Sequence, residues 1–207
     1  MSNRLTLVSG LALIAPVLVV LFAVLVLARL STAPRSPAAA APAPNSAASN
    51  MAPAGSAGPP APELIGGGAW INSEPLTLAG LQQQGKVVLI DFWTYGCYNC
   101  ANTLPYVKQW WDRYKDQGLV IVGVHTPEFD SERVLDNVQA AVKRQGVGWP
   151  VVQDNDYTIW RAYGNHYWPR FYLIDSRGQI VYDHIGEGAY EETERQIQAA
   201  LAAAKRK

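Results

Sequence analysis

Two continuous apolar runs, Val87-Val-Leu-Ile-Asp-Phe-Trp93 and Leu119-Val-Ile-Val-Gly-Val124, stand out along the second half of the chain. Neither alternates with polar residues, so both predict strands covered on two faces, as in a parallel sheet. Between them Leu104, Val107, Trp111 and Tyr114 recur at helical spacing. Strand, helix, strand in that order is a right-handed crossover unit. A second helix is predicted from about Asp130 or Ser131, either a good N-cap, with Leu135, Val138 and Val142 on one face. Arg170 to Asp175 and Gln179 to Ile185 flank the turn signal Asp175-Ser-Arg-Gly178 and predict an antiparallel hairpin. The first strand of that hairpin is expected beside the one ending at Trp93. Ile197, Ala200, Leu201 and Ala204 give a last helix its inward stripe.

The first third of the chain has a different pattern. Leu5 to Leu27 is an uncharged, mostly apolar run of 23 residues. As a helix it spans about 35 Å against a hydrocarbon core of about 30 Å. It predicts a transmembrane signal-anchor over residues 1–30; a cleaved signal peptide leaving through Val26-Leu27-Ala28 is the alternative reading. Residues 31–62 are almost entirely Ala, Pro, Ser and Gly, with eight prolines and no acidic residue. Such a segment buries no core and reads as a disordered tether. Residues 63–207 then have globular composition, enough for one buried core.

Charge follows the same division. All 17 acidic residues lie from Glu63 onward, whereas residues 1–62 carry only Arg4, Arg29 and Arg35. The globular part is therefore slightly acidic, which argues against nucleic-acid binding. Two cysteines cannot build a disulfide framework or a four-cysteine zinc site, but they can make one redox pair. They sit in Asp91-Phe-Trp-Thr-Tyr-Gly-Cys97-Tyr-Asn-Cys100, directly after a predicted buried strand and opening a predicted helix. At such a junction a Cys-x-x-Cys pair reads as a thiol redox site. Cys97, at the helix start, faces unpaired N–H groups and the positive dipole end, which favour thiolate. Cys100, one turn inside, is expected to be more buried and to act second.

These residues resemble the thioredoxin-like thiol-disulfide oxidoreductases, and more closely the membrane-anchored TlpA-like and DipZ C-terminal-like group. The resemblance covers about residues 70 to 202. It rests on Asp91-Phe-Trp, Cys97-x-x-Cys100, Pro105, Gly123-Val-His-Thr-Pro-Glu-Phe129 and Asn165-His-Tyr-Trp-Pro169. It implies a thioredoxin fold, a central mixed sheet with flanking helices. It also implies that Asp91 is a buried proton relay for Cys100 and that Pro169 is a cis-proline opposite the cysteines, exposing backbone groups that pair with a substrate chain. Trp168 and Tyr98 are expected beside the substrate, and Trp93, Tyr95 and Trp168 as an apolar rim. Two departures, Gly96 where the family usually has Trp and Arg170 where it usually has Thr, bear on substrate preference.

The expected activity is disulfide exchange with exported proteins, on the outer side of a bacterial cytoplasmic membrane. No Lys or Arg lies between Lys86 and Lys108, and Tyr98-Asn99 supplies no cation, so the pair leans towards a reductase or isomerase. The resemblance implies a separate CcdA-like membrane protein as electron donor. His125, His166 and His184 with the cysteines could suggest copper. The Cys-x-x-x-Cys pattern of Sco-like copper chaperones is absent, however, and neither metal nor cofactor is expected beyond the Cys97–Cys100 disulfide itself. Glu128 is expected to be a solvated loop carboxylate. A thiol peroxidase and a chaperone-like binding module without redox turnover are the rival readings.

Overall fold

The computed structural model describes residues 58–206. The expected anchor over 1–30, and the tether as far as residue 57, lie outside the described residues. Among the described residues no helix is long and apolar enough to cross a membrane. The described residues begin inside the stretch expected to be tether. Ala61 N–H donates to Gly178 C=O and Ile180 N–H to Pro59 C=O, both at 2.9 Å, so this strap lies along the C-terminal hairpin.

Six strands form one sheet in the order β1-β4-β3-β2-β5-β6. They are β1 (Trp70–Ile71), β2 (Val87–Trp93), β3 (Leu119–His125), β4 (Val151–Gln153), β5 (Arg170–Ile174) and β6 (Ile180–Ile185). The helices are α1 (Leu78–Gln83), α2 (Tyr98–Tyr114), α3 (Leu135–Gln145), α4 (Thr158–Ala162) and α5 (Tyr190–Ala204). β2, β3 and β4 are parallel, whereas β1, β5 and β6 run antiparallel to their neighbours. The two apolar runs are thus the central strands, and all seven residues of β2 are buried. Period 2 divides those residues between two cores. Val87, Leu89 and Trp93 pack with α2, α3 and α5, while Val88, Ile90 and Phe92 pack with α1 and α4.

Three details differ from the sequence pattern. The inward face of α2 is set by Cys100, Thr103, Val107, Trp110 and Tyr114, so Trp110 and not Trp111 is the fully buried indole. The helix expected from Asp130 or Ser131 is preceded by a single 3-10 turn, Asp130–Arg133, and α3 starts only after Val134. The cause is Glu132, whose carboxylate turns back onto backbone N–H groups upstream and closes that turn. The short elements β1, α1, β4 and α4 carry no periodic signal long enough to register.

Register places the site. Asp91 lies between Gly123 of β3 and Phe171 of β5, on the face that α2 covers. Phe92 pairs with Arg170, so the start of β5 lies beside the end of β2. The turn into α2, the loop after β3 and the loop before β5 therefore meet at one end of the sheet.

Candidate active site

Cys97 is the N-cap of α2, and its Sγ accepts the Cys100 backbone N–H at 3.2 Å. It is half-buried, while Cys100 is buried; both are free thiols. The Cys97 thiol is drawn down to about 7, chiefly by the hydrogen bond from the Cys100 thiol, with the N–H groups of Cys100 and Asn99 adding to it. Partial burial and the charge of Glu128 oppose this. Burial first, then the bond to Cys97 and its charge, push the Cys100 thiol far up. The two sulfurs therefore differ sharply in acidity, with the outer one poised near neutrality.

Asp91 is 5 % exposed, and its Oδ1 has no hydrogen-bond partner. Burial, and secondarily the charge on Cys97, lifts its carboxyl to about 8. Its charge in turn raises Cys100. A neutral acid with a free oxygen beside a high-pKa thiol has the chemistry of a proton acceptor and donor.

The Trp168–Pro169 peptide bond is cis. Trp168 joins Gly96, Cys97, Tyr98, Asn99, Glu128 and Phe129 in lining a cleft of about 290 Å³ over the outer sulfur. Its indole N–H donates to Thr126 C=O at 3.1 Å, and its ring packs against Trp160. Pro169 itself is buried and its carbonyl accepts Gly186 N–H at 2.9 Å. Pro169 has no backbone N–H, and its carbonyl is engaged by Gly186. Tyr98 is 77 % exposed and lines the cleft.

The expected aromatic rim is only partly present. Trp93 is a core residue, edge-on to His125, because it faces inward from β2. Tyr95 is partly buried and stacks on the His125 ring, 5.6 Å between centroids. Phe129, absent from the expectations, is exposed in the cleft instead. Glu128 is exposed, and the cleft it lines is that of Cys97. Arg170 turns away from the cleft: its guanidinium pairs with Asp183 at 2.6 Å and lies over the Tyr172 ring. The three histidines stand apart in role. His125 is wholly buried, with Nε2 3.3 Å from Thr94 Oγ1, and burial holds its imidazole down at about 4. His166 is exposed beside Tyr167, and His184 lies near the Glu187 carbonyl.

Two residues that sequence reasoning passed over hold the site together. Gln145, the last residue of α3, donates to Tyr95 C=O at 3.2 Å. Glu132, 1 % exposed, accepts Gly96 N–H on Oε1 at 3.0 Å, and the N–H groups of Glu128 and Phe129 on Oε2 at 2.6 and 3.0 Å. A Cβ at Gly96 would stand 2.4 Å from that Oε1, which gives a physical reason for the glycine. The visible signal was a Glu three residues after Phe129, the reach-back half of a capping box. Phe129 cannot supply the other half, and so the motif passed unnoticed.

With this topology and a dithiol at the β2–α2 junction, the domain is of the thioredoxin-like class of thiol-disulfide oxidoreductases. The AhpC/TSA family pattern matches residues 60–183, and the chain belongs to that family. It is 44 % identical over 148 residues to DipZ of Mycobacterium bovis, covering 70 % of this chain and 21 % of DipZ. The chain thus spans about a fifth of the length of that relative. It is 31 % identical over 143 residues to the thiol-disulfide oxidoreductase YkuV of Bacillus subtilis, covering 69 % of this chain and 95 % of YkuV. A solved thioredoxin-like protein in its oxidized form superposes with a TM-score of 0.61 at 28 % identity, over 70 % of this chain and 95 % of the other.

Proposed function

We propose that this protein reduces or isomerises disulfides in exported proteins, tethered to the outer face of a bacterial cytoplasmic membrane by its N-terminal segment. The observation that carries the redox reading is the division of labour between an exposed-side thiol near 7 and a buried thiol far above it. Cys97 thiolate attacks one sulfur of a substrate disulfide; a Cys97–substrate disulfide forms and the other substrate sulfur leaves as thiolate. Forming that bond removes the Cys97 charge, which is one of the two causes holding the Asp91 carboxyl up and one of those holding Cys100 up. Asp91 gives its own proton to the departing substrate thiolate, and the resulting carboxylate takes the Cys100 proton; Cys100 then attacks the Cys97 sulfur, and the second substrate sulfur departs. Two electrons have moved to the substrate and the Cys97–Cys100 disulfide remains. A CcdA-like membrane protein returns it to the dithiol.

Acidity supports this direction. Strong oxidants of this class hold a thiolate near 3.5, whereas reductants hold it near 7. No cation offsets Glu128 at the cleft, and Glu128 works against the thiolate. The full chain with dithiothreitol is expected to precipitate reduced insulin faster than dithiothreitol alone, and Cys97→Ala is expected to remove the acceleration. A binding module without turnover would be silent with or without Cys97. A thiol peroxidase would instead consume hydroperoxide at the expense of Cys97 and leave insulin intact.

A further inference from the structure

We propose that Glu132 is a positioning residue that fixes the two borders of the Cys97 cleft to each other, and that Gly96 is glycine to admit its carboxylate. This rests on the disulfide-exchange reading above. Two of the three bonds to Glu132, from the N–H groups of Glu128 and Phe129, lie within its own turn and would serve as an ordinary cap. The third does not. Gly96 is 36 residues away in sequence, stands immediately before Cys97, and gives its N–H to the other oxygen of the same carboxylate. One buried group therefore joins the turn that presents the outer sulfur to the loop that lines the opposite part of the cleft.

The bonds from backbone N–H to a carboxylate are charge-assisted and short, and one carboxylate satisfies three donors that would otherwise be stranded. Each oxygen is committed to a different segment, so the side chain cannot release one border without disturbing the other. The rest of the loop is held separately, where the Tyr157 hydroxyl donates to Pro127 C=O and the Trp168 indole N–H to Thr126 C=O. Glu132 alone acts at Glu128 and Phe129, the two residues of the loop that line the cleft. It touches neither sulfur. Its effect on exchange must pass through the placement of Phe129, Glu128 and the Gly96–Cys97 turn against a bulky substrate.

Gly96 supplies the independent handle. Alanine there places a Cβ where Oε1 sits, forcing the carboxylate off Gly96 N–H while leaving Glu132 in the chain. Glu132→Gln keeps the shape but leaves one acceptor oxygen, which satisfies more donors facing Glu128 and Phe129, so that its NH2 meets Gly96 N–H and cannot receive it. Both changes break the same bond from opposite ends.

The test compares the full chain with Glu132→Gln, Gly96→Ala and the double variant. Insulin serves as a protein disulfide and hydroxyethyl disulfide as a small one, with amide hydrogen exchange followed at Gly96, Glu128 and Phe129. Each single variant is expected to raise KM for insulin about tenfold, and Glu132→Gln to do so with kcat and the small-disulfide rate within about twofold. The Gly96 amide should lose at least tenfold in protection, and the double variant should be no worse than the poorer single one. An unchanged KM overturns the proposal. So do additive effects, or a parallel loss on both disulfides that tracks a lower melting temperature. Should Glu132→Gln fail to fold, Gly96→Ala carries the same comparison. If the unaltered chain reduces neither disulfide, the exchange reading falls. The amide protection in the two variants then decides by itself whether Glu132 holds Gly96 to the facing loop.

Discussion

Asp91→Asn should make the domain more stable at pH 8 and, at the same time, slow its disulfide exchange. The stability arm follows from burial. The folded carboxyl titrates at about 8 against an ordinary value of 3.8, because desolvation, and then the Cys97 charge, disfavour its anion. Between those values the folded chain holds a proton that the unfolded chain has released. Each pH unit in that window therefore removes up to about 1.4 kcal/mol of stability, beginning near pH 4 and levelling off above about 8. Asparagine has no such proton, so this component vanishes in the variant. Urea unfolding across pH 5 to 9 should show a variant that is the more stable by at least about 2 kcal/mol at pH 8, after the cost of one poorly satisfied amide. The rate arm follows from chemistry. Without an acceptor for the Cys100 proton, resolution of the mixed disulfide should slow by about 10²-fold, with initial attack by Cys97 nearly unaffected. A variant less stable at every pH would mean that Asp91 is an anchored structural carboxylate, and unchanged exchange rates would remove the relay.

The second large effect concerns the dependence of one sulfur on the other. Alkylation of Cys97 by iodoacetamide should rise with pH through a midpoint near 7 and flatten about one unit above it, while Cys100 stays unreactive through pH 9. The foremost cause of the low value is the hydrogen bond from the Cys100 thiol. Cys100→Ala should therefore move the midpoint upward by one unit or more, toward about 8.5. The backbone N–H groups of Cys100 and Asn99 remain in that variant, so the midpoint should stop short of a free thiol's. Absorbance of the thiolate at 240 nm measures it directly. A midpoint that stays put on removal of Cys100 would assign the effect to the helix start alone, and one near 4 in the unaltered chain would reverse the direction of electron flow.

How far the residues announced this arrangement depends on length of pattern and on chemistry. β2 and β3 were legible because long apolar runs, all seven positions buried in β2 and all but Val120 in β3, admit few readings other than a covered central strand. The hairpin of β5 and β6 was legible from its turn residues. The strands and helices of two to six residues at the sheet edge and its second face were not, since so few positions carry no period. On α2 the polar-looking Cys100 and Thr103 set the buried face, and an apolar stripe alone pointed to Trp111 in place of Trp110. The chemical residues Cys97, Cys100 and Asp91 were legible because of what they can do at a strand-to-helix junction. Glu132 was not, because its role lies in tertiary bonds to Gly96, 36 residues away. Gly96 marked the place: it looked like a missing side chain, and the structure puts a carboxylate oxygen in that space.

The assignment of attacking and resolving sulfurs is tested most directly by trapping. Cys100→Ala and Cys97→Ala forms of the full chain, each with one remaining free thiol, are incubated with a disulfide-bonded protein at pH 8.5. Covalent adducts are then counted on non-reducing gels and by mass. Cys100→Ala should accumulate adducts through Cys97 that dissolve on adding dithiothreitol, and Cys97→Ala should form none. Adducts on Cys97→Ala and none on Cys100→Ala would contradict the account, because the buried sulfur would then be the one that meets the substrate.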